Sequence, residues 1–129
     1  MFTDAEREYI DGQSLCRIAT ATNSGKPHVV PLRGRLDGDK VIIGGYDMSK
    51  SYKYRQAKRN PWVAVLWDGP GLQGVEVRGQ TEVVEASPEP YFVITPTKVF
   101  SWGVNEDARE SFEKKMGFNM SHRGPEPYR

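Results

Sequence analysis

The sequence is poor in the residues that build covalent and metal-held frameworks. Among 129 residues Cys16 is the single cysteine, which excludes an internal disulfide and a Cys-x-x-Cys pair. The two histidines, His28 and His122, stand far apart in sequence, so no protein zinc site is expected. No apolar run approaches the roughly 18 residues that a membrane span needs. The stretch from Met1 to Glu8 is polar and acidic and lacks the apolar core of a secretory signal, so a cytoplasmic protein is expected. The phosphate, nucleophile and zinc motifs GxxxxGKS/T, GxSxG and HExxH are all missing. Without a secretory signal, the sequon Asn119-Met120-Ser121 is expected to be chance.

What is present is a chain for one folded domain over residues 1–129. Hydrophobic residues make up 37% and charged residues 27%, which separates it from disordered tails. Net charge is only +1, but it is unevenly spread. Lys26 to Arg59 holds nine Lys/Arg against three Asp, and Ser49 to Asn60 holds five basic residues and no acid. A near-neutral protein with one basic segment points to a discrete anion site rather than to a surface that wraps nucleic acid.

Local patterns give the elements. Thr3-Asp4-Ala5-Glu6 has capping-box spacing and predicts a helix to about Asp11, stopped at Gly12. Strands are expected at Leu15–Thr22, His28–Leu36 and Lys40–Gly45, with turns at Asn23-Ser24-Gly25 and Asp37-Gly38-Asp39. Ser49 to Arg59 lacks strand alternation and predicts a helix that Asn60-Pro61 terminates. Trp62 to Trp67 is apolar on both alternations and reads as a strand buried on both sides. Val75 to Glu85 alternates cleanly, and Tyr91 to Trp102 is a last strand whose Pro96 marks a bulge or an edge. A helix is expected from Glu106 to Met116, followed by a frayed tail unless it docks. The sum is a mainly β (α+β) fold, a six-stranded antiparallel barrel with short flanking helices.

The segment Gly44-Gly45-Tyr46-Asp47-Met48-Ser49-Lys50-Ser51-Tyr52-Lys53 carries the chemistry. Paired glycines end a strand and let a flat ligand approach the backbone. A basic helix then opens with serines, and a helix N-terminus presents free N–H groups to phosphate. An ordinary solvated basic helix would show the same charge run.

Four stretches in order make the chain resemble a known superfamily. They are Gln13 to Thr22 with Gly25 to Leu32; Ser51-Tyr52-Lys53 with Asn60-Pro61; Gly74 to Glu82; and Ile94 to Gly103. Together they resemble the pyridoxamine 5'-phosphate oxidase-like split-barrel superfamily, which binds flavin or deazaflavin. The Ser101-Trp102-Gly103 ending is most similar to members that use the deazaflavin F420. The resemblance spans about Phe2 to Gly103; residues 104–129 form an extension without a counterpart. It implies a split β-barrel of the FMN-binding type, a homodimer, and a cofactor at the interface: F420, with FMN as the alternative. It implies that Lys53 holds the phosphate with Lys50, Ser51 and Arg33, and that Tyr46 and Asp47 meet the ring or phosphate. Trp102 of the other subunit would pack near the ring, and His28 would line the cleft. Each has a plainer reading: Arg33 as a solvent-facing strand residue, Tyr46 as hairpin packing, Trp102 as core or dimer contact, His28 as a local hydrogen-bonding group. Val93 stands where the family often has arginine, and the Arg-Leu-His motif of true pyridoxamine phosphate oxidases is missing, so oxidation of that vitamin is not expected.

The function so implied is an oxidoreductase that transfers hydride to a small conjugated acceptor, with no metal, no nucleic acid and no membrane as partner, and no residue legible as a catalytic acid. The competing classes are a cofactor carrier or sensor without turnover, and a small barrel that binds a polyanion through the basic helix.

Overall fold

The computed structural model describes residues 1–45, 47–69, 71–104 and 121–123, the last as backbone. The expected helix from Glu106 to Met116 lies outside the described residues. Helix α1 (Asp4–Asp11) starts as its capping box requires: the Thr3 hydroxyl accepts from the Glu6 N–H at 3.1 Å, and the Glu6 carboxylate accepts from the Thr3 N–H at 2.9 Å. Among the described residues there are seven strands: β1 (Cys16–Ala21), β2 (Pro27–Asp37), β3 (Lys40–Gly44), β4 (Trp62–Asp68), β5 (Gly74–Val84), β6 (Tyr91–Trp102) and β7 (Ser121–Arg123).

Every pairing is antiparallel. Around the ring β1-β2-β3-β6-β5-β4, the last strand returns to the first through Arg17↔Leu66 to Ala19↔Ala64. This is a closed six-stranded barrel, the fold the sequence predicted. One edge of β6 serves two partners in turn: Phe92 to Ile94 pair with β3, and Val99 to Ser101 pair with β7. The short β7 is a strand the sequence did not announce. On its other edge β6 shifts register against β5: Arg78 opposes Lys98 and Gly79 opposes Pro96, so Thr97 is the extra residue of a bulge. Proline brings no N–H to the ladder, which is why the irregularity falls beside Pro96.

The interior is filled by alternate residues of every strand, among them Ile18, Val41, Ile43, Val65, Trp67, Val77, Phe92 and Val99. Phe2 and Ile10 add the inner face of α1 to this core. Burial of each such side chain contributes about 1.5–3 kcal/mol. Cys16 is fully buried among them, and burial pushes its thiol up to about 11, so it acts as a small hydrophobe.

One expectation needs correction. Strand β4 is not buried on both sides: Val63, Val65 and Trp67 face the core, while Trp62 stands outside at 47% exposure and Ala64 and Leu66 are half-buried. The outer apolar row continues across the sheet, because Ala64 and Val29 both lie opposite Ala19, and Leu66 and Pro31 both lie opposite Arg17. The apolar run therefore reflects an inner core face plus an outer apolar face, which sequence alone does not separate.

The bulge yields a first prediction. A Cβ at Gly79 would lie 2.2 Å from the Thr95 carbonyl oxygen, whereas one at Gly44 would meet nothing within 4 Å. Gly79→Ala is expected to cost about 1–3 kcal/mol in urea unfolding, and Gly44→Ala to stay within about 0.5 kcal/mol of the parent. Equal stabilities would show that the bulge does not need the close backbone approach.

Candidate functional site

In the ring, β3 and β4 stand opposite each other, so the chain between them must cross an end of the barrel. It does so through a 3-10 turn (Met48–Lys50) and helix α2 (Tyr52–Arg59). After Gly45 the backbone reaches Asp47, a left-handed residue with φ 53°, a conformation aspartate tolerates better than most. The Asp47 carbonyl accepts from the Lys50 N–H at 3.0 Å, which closes the turn. Met48 is fully buried and anchors it. The Ser51 hydroxyl donates to the Met48 carbonyl at 2.7 Å and accepts from the Tyr54 N–H at 3.3 Å. Ser51 is thus the N-cap, and the helix expected from Ser49 starts at Tyr52 because the serine side chain competes for the first turn. It ends at Asn60, before Pro61, as predicted.

Helix α2 sorts its basic residues into different environments. Gln56 and Ala57 face the barrel and are buried. Lys53 is half-buried, and among the described residues it has no carboxylate partner; burial alone pulls its ammonium below the usual lysine range. Lys58, by contrast, is exposed and satisfied: it donates to Glu85 at 2.9 Å and to the Tyr54 hydroxyl at 3.2 Å. Hydrogen bonds from Tyr54 and Lys58 hold the Glu85 carboxyl below the ordinary range. Lysines five residues apart thus differ in kind. One is a solvated ion pair worth little, and the other is a partly desolvated cation without a countercharge among the described residues.

The predicted residues fall into three groups. His28, at the start of β2, meets Tyr52 edge-to-face with ring centroids 4.9 Å apart, so β2 and the opening of α2 bring His28, Ser51 and Lys53 to one region. Lys50 is exposed on the turn just before it, and Asp47 is half-buried. Arg33 is exposed on the opposite face of β2 from His28, five residues and about 16 Å further along. There it lines a shallow cleft of about 380 Å³ with Arg35, Ile42, Gly44 and Gly45. Arg35 was not singled out in the sequence, although its two-residue spacing from Arg33 puts both on one face. Trp102 is half-buried at the far end of β6, and its indole lies so close over Gly74 that a Cβ there would be 2.5 Å from Cζ2. A single chain does not bring Trp102 to Lys53. Tyr46 lies outside the described residues.

A second cleft, of about 400 Å³, opens between α2 and the β1–β2 turn, lined by Thr22, Asn23, Ser24 and the helix residues Tyr52, Arg55 and Arg59. The turn residues were read only as turn chemistry, since nothing in their local pattern says which helix they will face. Among the described residues no group of three His, Cys, Asp or Glu could hold a metal ion, and no helix is long and apolar enough to cross a membrane.

Comparison with known proteins agrees with this architecture. The family model described as pyridoxamine 5'-phosphate oxidase matches residues 2–113. A 5a,11a-dehydrotetracycline/5a,11a-dehydrooxytetracycline reductase of Streptomyces rimosus is 28% identical over 122 residues, covering 82% of this chain and 86% of the relative. The solved structure of HupZ from Group A Streptococcus is similar with a TM-score of 0.70 at 20% identity, covering 78% of this chain and 94% of that one. A solved F420 reductase gives 0.64 at 22% identity, covering 76% and 98%. At these identities the solved structures speak for the fold.

The state of Lys53 gives a second prediction. A lysine with its folded pKa depressed makes the folded protein hold fewer protons between that pKa and the unfolded value, so stability rises with pH across that window. Below the window the charged, desolvated ammonium is a cost. Lys53→Met is therefore expected to be at least as stable as the parent at neutral pH without ligand, and its advantage to shrink as pH rises through the window. A Lys53→Met protein markedly less stable at neutral pH would mean that the ammonium has a structural partner.

Proposed function

The chain belongs to the pyridoxamine 5'-phosphate oxidase family, and on that premise we propose that it is an oxidoreductase with a non-covalent flavin-type cofactor, F420 in preference to FMN. The observation that carries the reading is Lys53: a half-buried cation at the opening of α2, without a carboxylate among the described residues, next in sequence to Tyr52, whose ring meets His28. A protein holds such a charge at a desolvation cost, and a bound phosphate offsets it. Gly44 adds to the fit. It has an ordinary φ and open space around its Cβ position, so neither packing nor backbone geometry demands glycine there, while a flat ring lying against the backbone would.

Within this reading Lys53 and Lys50 bind the phosphate, the Ser51 cap fixes the helix opening from which they project, and Arg33 faces the ring side with Gly44 and Gly45. Bound in its reduced form, such a cofactor supplies the hydride, and the protein supplies position and electrostatics. The reductase relative, named for a polycyclic conjugated compound, supports a small conjugated acceptor as the substrate class. Ser101-Trp102-Gly103 supports F420. The outer apolar face, with Val29 at 63% and Trp62 at 47% exposure, supports a homodimer, since a patch of this kind on a small barrel is what a second copy covers.

Fluorescence titration tests the reading directly. F420 is expected to bind the purified protein, and Lys53→Ala to weaken it about tenfold or more, the value of one hydrogen bond to a charged group. Binding of neither F420 nor FMN would overturn it, and unchanged affinity in Lys53→Ala would overturn the phosphate assignment. Turnover with a conjugated enone acceptor separates an enzyme from a carrier. For the dimer, Ala64→Arg is expected to give monomers in analytical ultracentrifugation while the parent sediments as a dimer; a monomeric parent would reject the interface.

A further inference from the structure

The cleft between α2 and the β1–β2 turn is not used by the reading above, and its walls are firmly held. The Thr20 hydroxyl donates to Gln56 Oε1, and Asn60 Nδ2 donates to the Thr22 carbonyl at 3.3 Å, so the helix and the residue that follows it are tied to β1 and to the start of the turn. Thr22 Oγ1 accepts from the Lys26 N–H at 3.0 Å and lies 3.0 Å from Ser24 Oγ, which fixes the turn itself. On the helix side, Tyr52, Arg55, Gln56 and Arg59 recur at the spacing of one helical face. Lys53 and Lys58 do not line it.

The chemistry of this lining is one-sided. Among the described residues it contains two guanidiniums and no carboxylate. Unlike Lys58, neither Arg55 nor Arg59 has a carboxylate partner among the described residues; Arg55 instead sits 5.8 Å from the centroid of the Tyr52 ring. Gln56 is 6% exposed, and with its Oε1 accepting from Thr20 the donor end of its amide is left for the cleft. Guanidinium forks match carboxylate and phosphate oxygens in pairs, and unbalanced positive charge in a concave site concentrates anions.

We propose that this cleft is a second anion subsite, separate from Lys53, that binds a group carrying two or more carboxylates or a phosphate. Two sources share that chemistry: the acidic end of an elongated cofactor whose phosphate sits at Lys53, and an independent small anion. Only the first rests on the flavin-type reading.

The test uses the full chain, its Lys53→Ala variant and the double variant Arg55→Gln/Arg59→Gln, with inorganic pyrophosphate, F420 and FMN as probes. Pyrophosphate, followed by calorimetry and by the arginine Nε–H signals in NMR, is expected to bind Lys53→Ala protein and to lose about tenfold or more in the double variant. If the source is the cofactor, the double variant also loses F420 affinity while FMN affinity holds. If the source is an independent anion, both cofactor affinities hold. Pyrophosphate binding that survives in the double variant, or that Lys53→Ala alone abolishes, overturns the subsite. Absence of pyrophosphate binding together with unchanged F420 affinity in the double variant overturns it as well. Arginine-dependent pyrophosphate binding in a protein that takes neither cofactor leaves the subsite standing and removes the flavin-type reading.

Discussion

The pairing of β3 with β6 is the constraint on which the molecule turns. Three residue pairs, Val41↔Ile94, Ile42↔Val93 and Ile43↔Phe92, close the sheet into a barrel. Once it is closed, β3 and β4 lie on opposite sides, and the chain joining them has to cross. A crossing over an apolar interior must bury something, and Met48 and Ala57 are what it buries. It must also turn sharply at the start, which Asp47 in the left-handed region and the Ser51 cap accomplish. The basic helix is thus pinned across the barrel end by topology. Its half-buried lysine follows from that position, because a solvated surface helix would have left Lys53 as exposed as Lys58.

This explains which parts of the fold and site were legible in sequence. Caps, turns and the proline stop are local chemistry, and Thr3, Glu6 and Pro61 act where the pattern said they would. Alternation exposed the strands, and Pro96 marked the bulge. What local pattern cannot carry is the partner across space. Trp62, Ala64 and Leu66 look like core because apolar side chains carry no label for the inside or the outside of a barrel. Arg33 and His28 lie on one strand, and the resemblance gives both a place at the cofactor, yet an odd separation sends them to opposite faces. The resemblance to the family grouped Lys53, Arg33 and Trp102 by function, whereas the single chain holds them in three places.

The basic segment gains its meaning from the same geometry. Its surplus of positive charge is not one patch. Lys58 is balanced by Glu85, Lys53 is partly desolvated and has no carboxylate partner among the described residues, Arg33 and Arg35 share the outer face of β2, and Arg55 and Arg59 line a separate cleft. Charge counted along a sequence says only that an anion is favoured. Burial and countercharge decide where it is favoured, since an exposed pair in water gains little and an unpaired cation against an apolar wall gains much more from the same ligand.

The separation of Trp102 from Lys53 bears on how a complete site would be assembled. Trp102 is held over Gly74, where a Cβ would collide with the indole. It does not swing to the opening of α2 without losing that contact. A site that needs both residues is therefore built from two chains, and the outer apolar face is the surface on this barrel suited to holding them together. Val29, Ala19 and Ala64 run across it in one row, with Pro31 and Leu66 flanking Arg17 in the next. Arg17, in the middle of that second row, pairs with Asp68. If the dimer forms there, cofactor binding and assembly are linked: a ligand touching both chains binds the dimer in preference to the monomer, and each stabilises the other by mass action. Within the proposed reading, the cleft between two copies would set the shape of what approaches a bound ring, and specificity would need no catalytic side chain from the barrel itself.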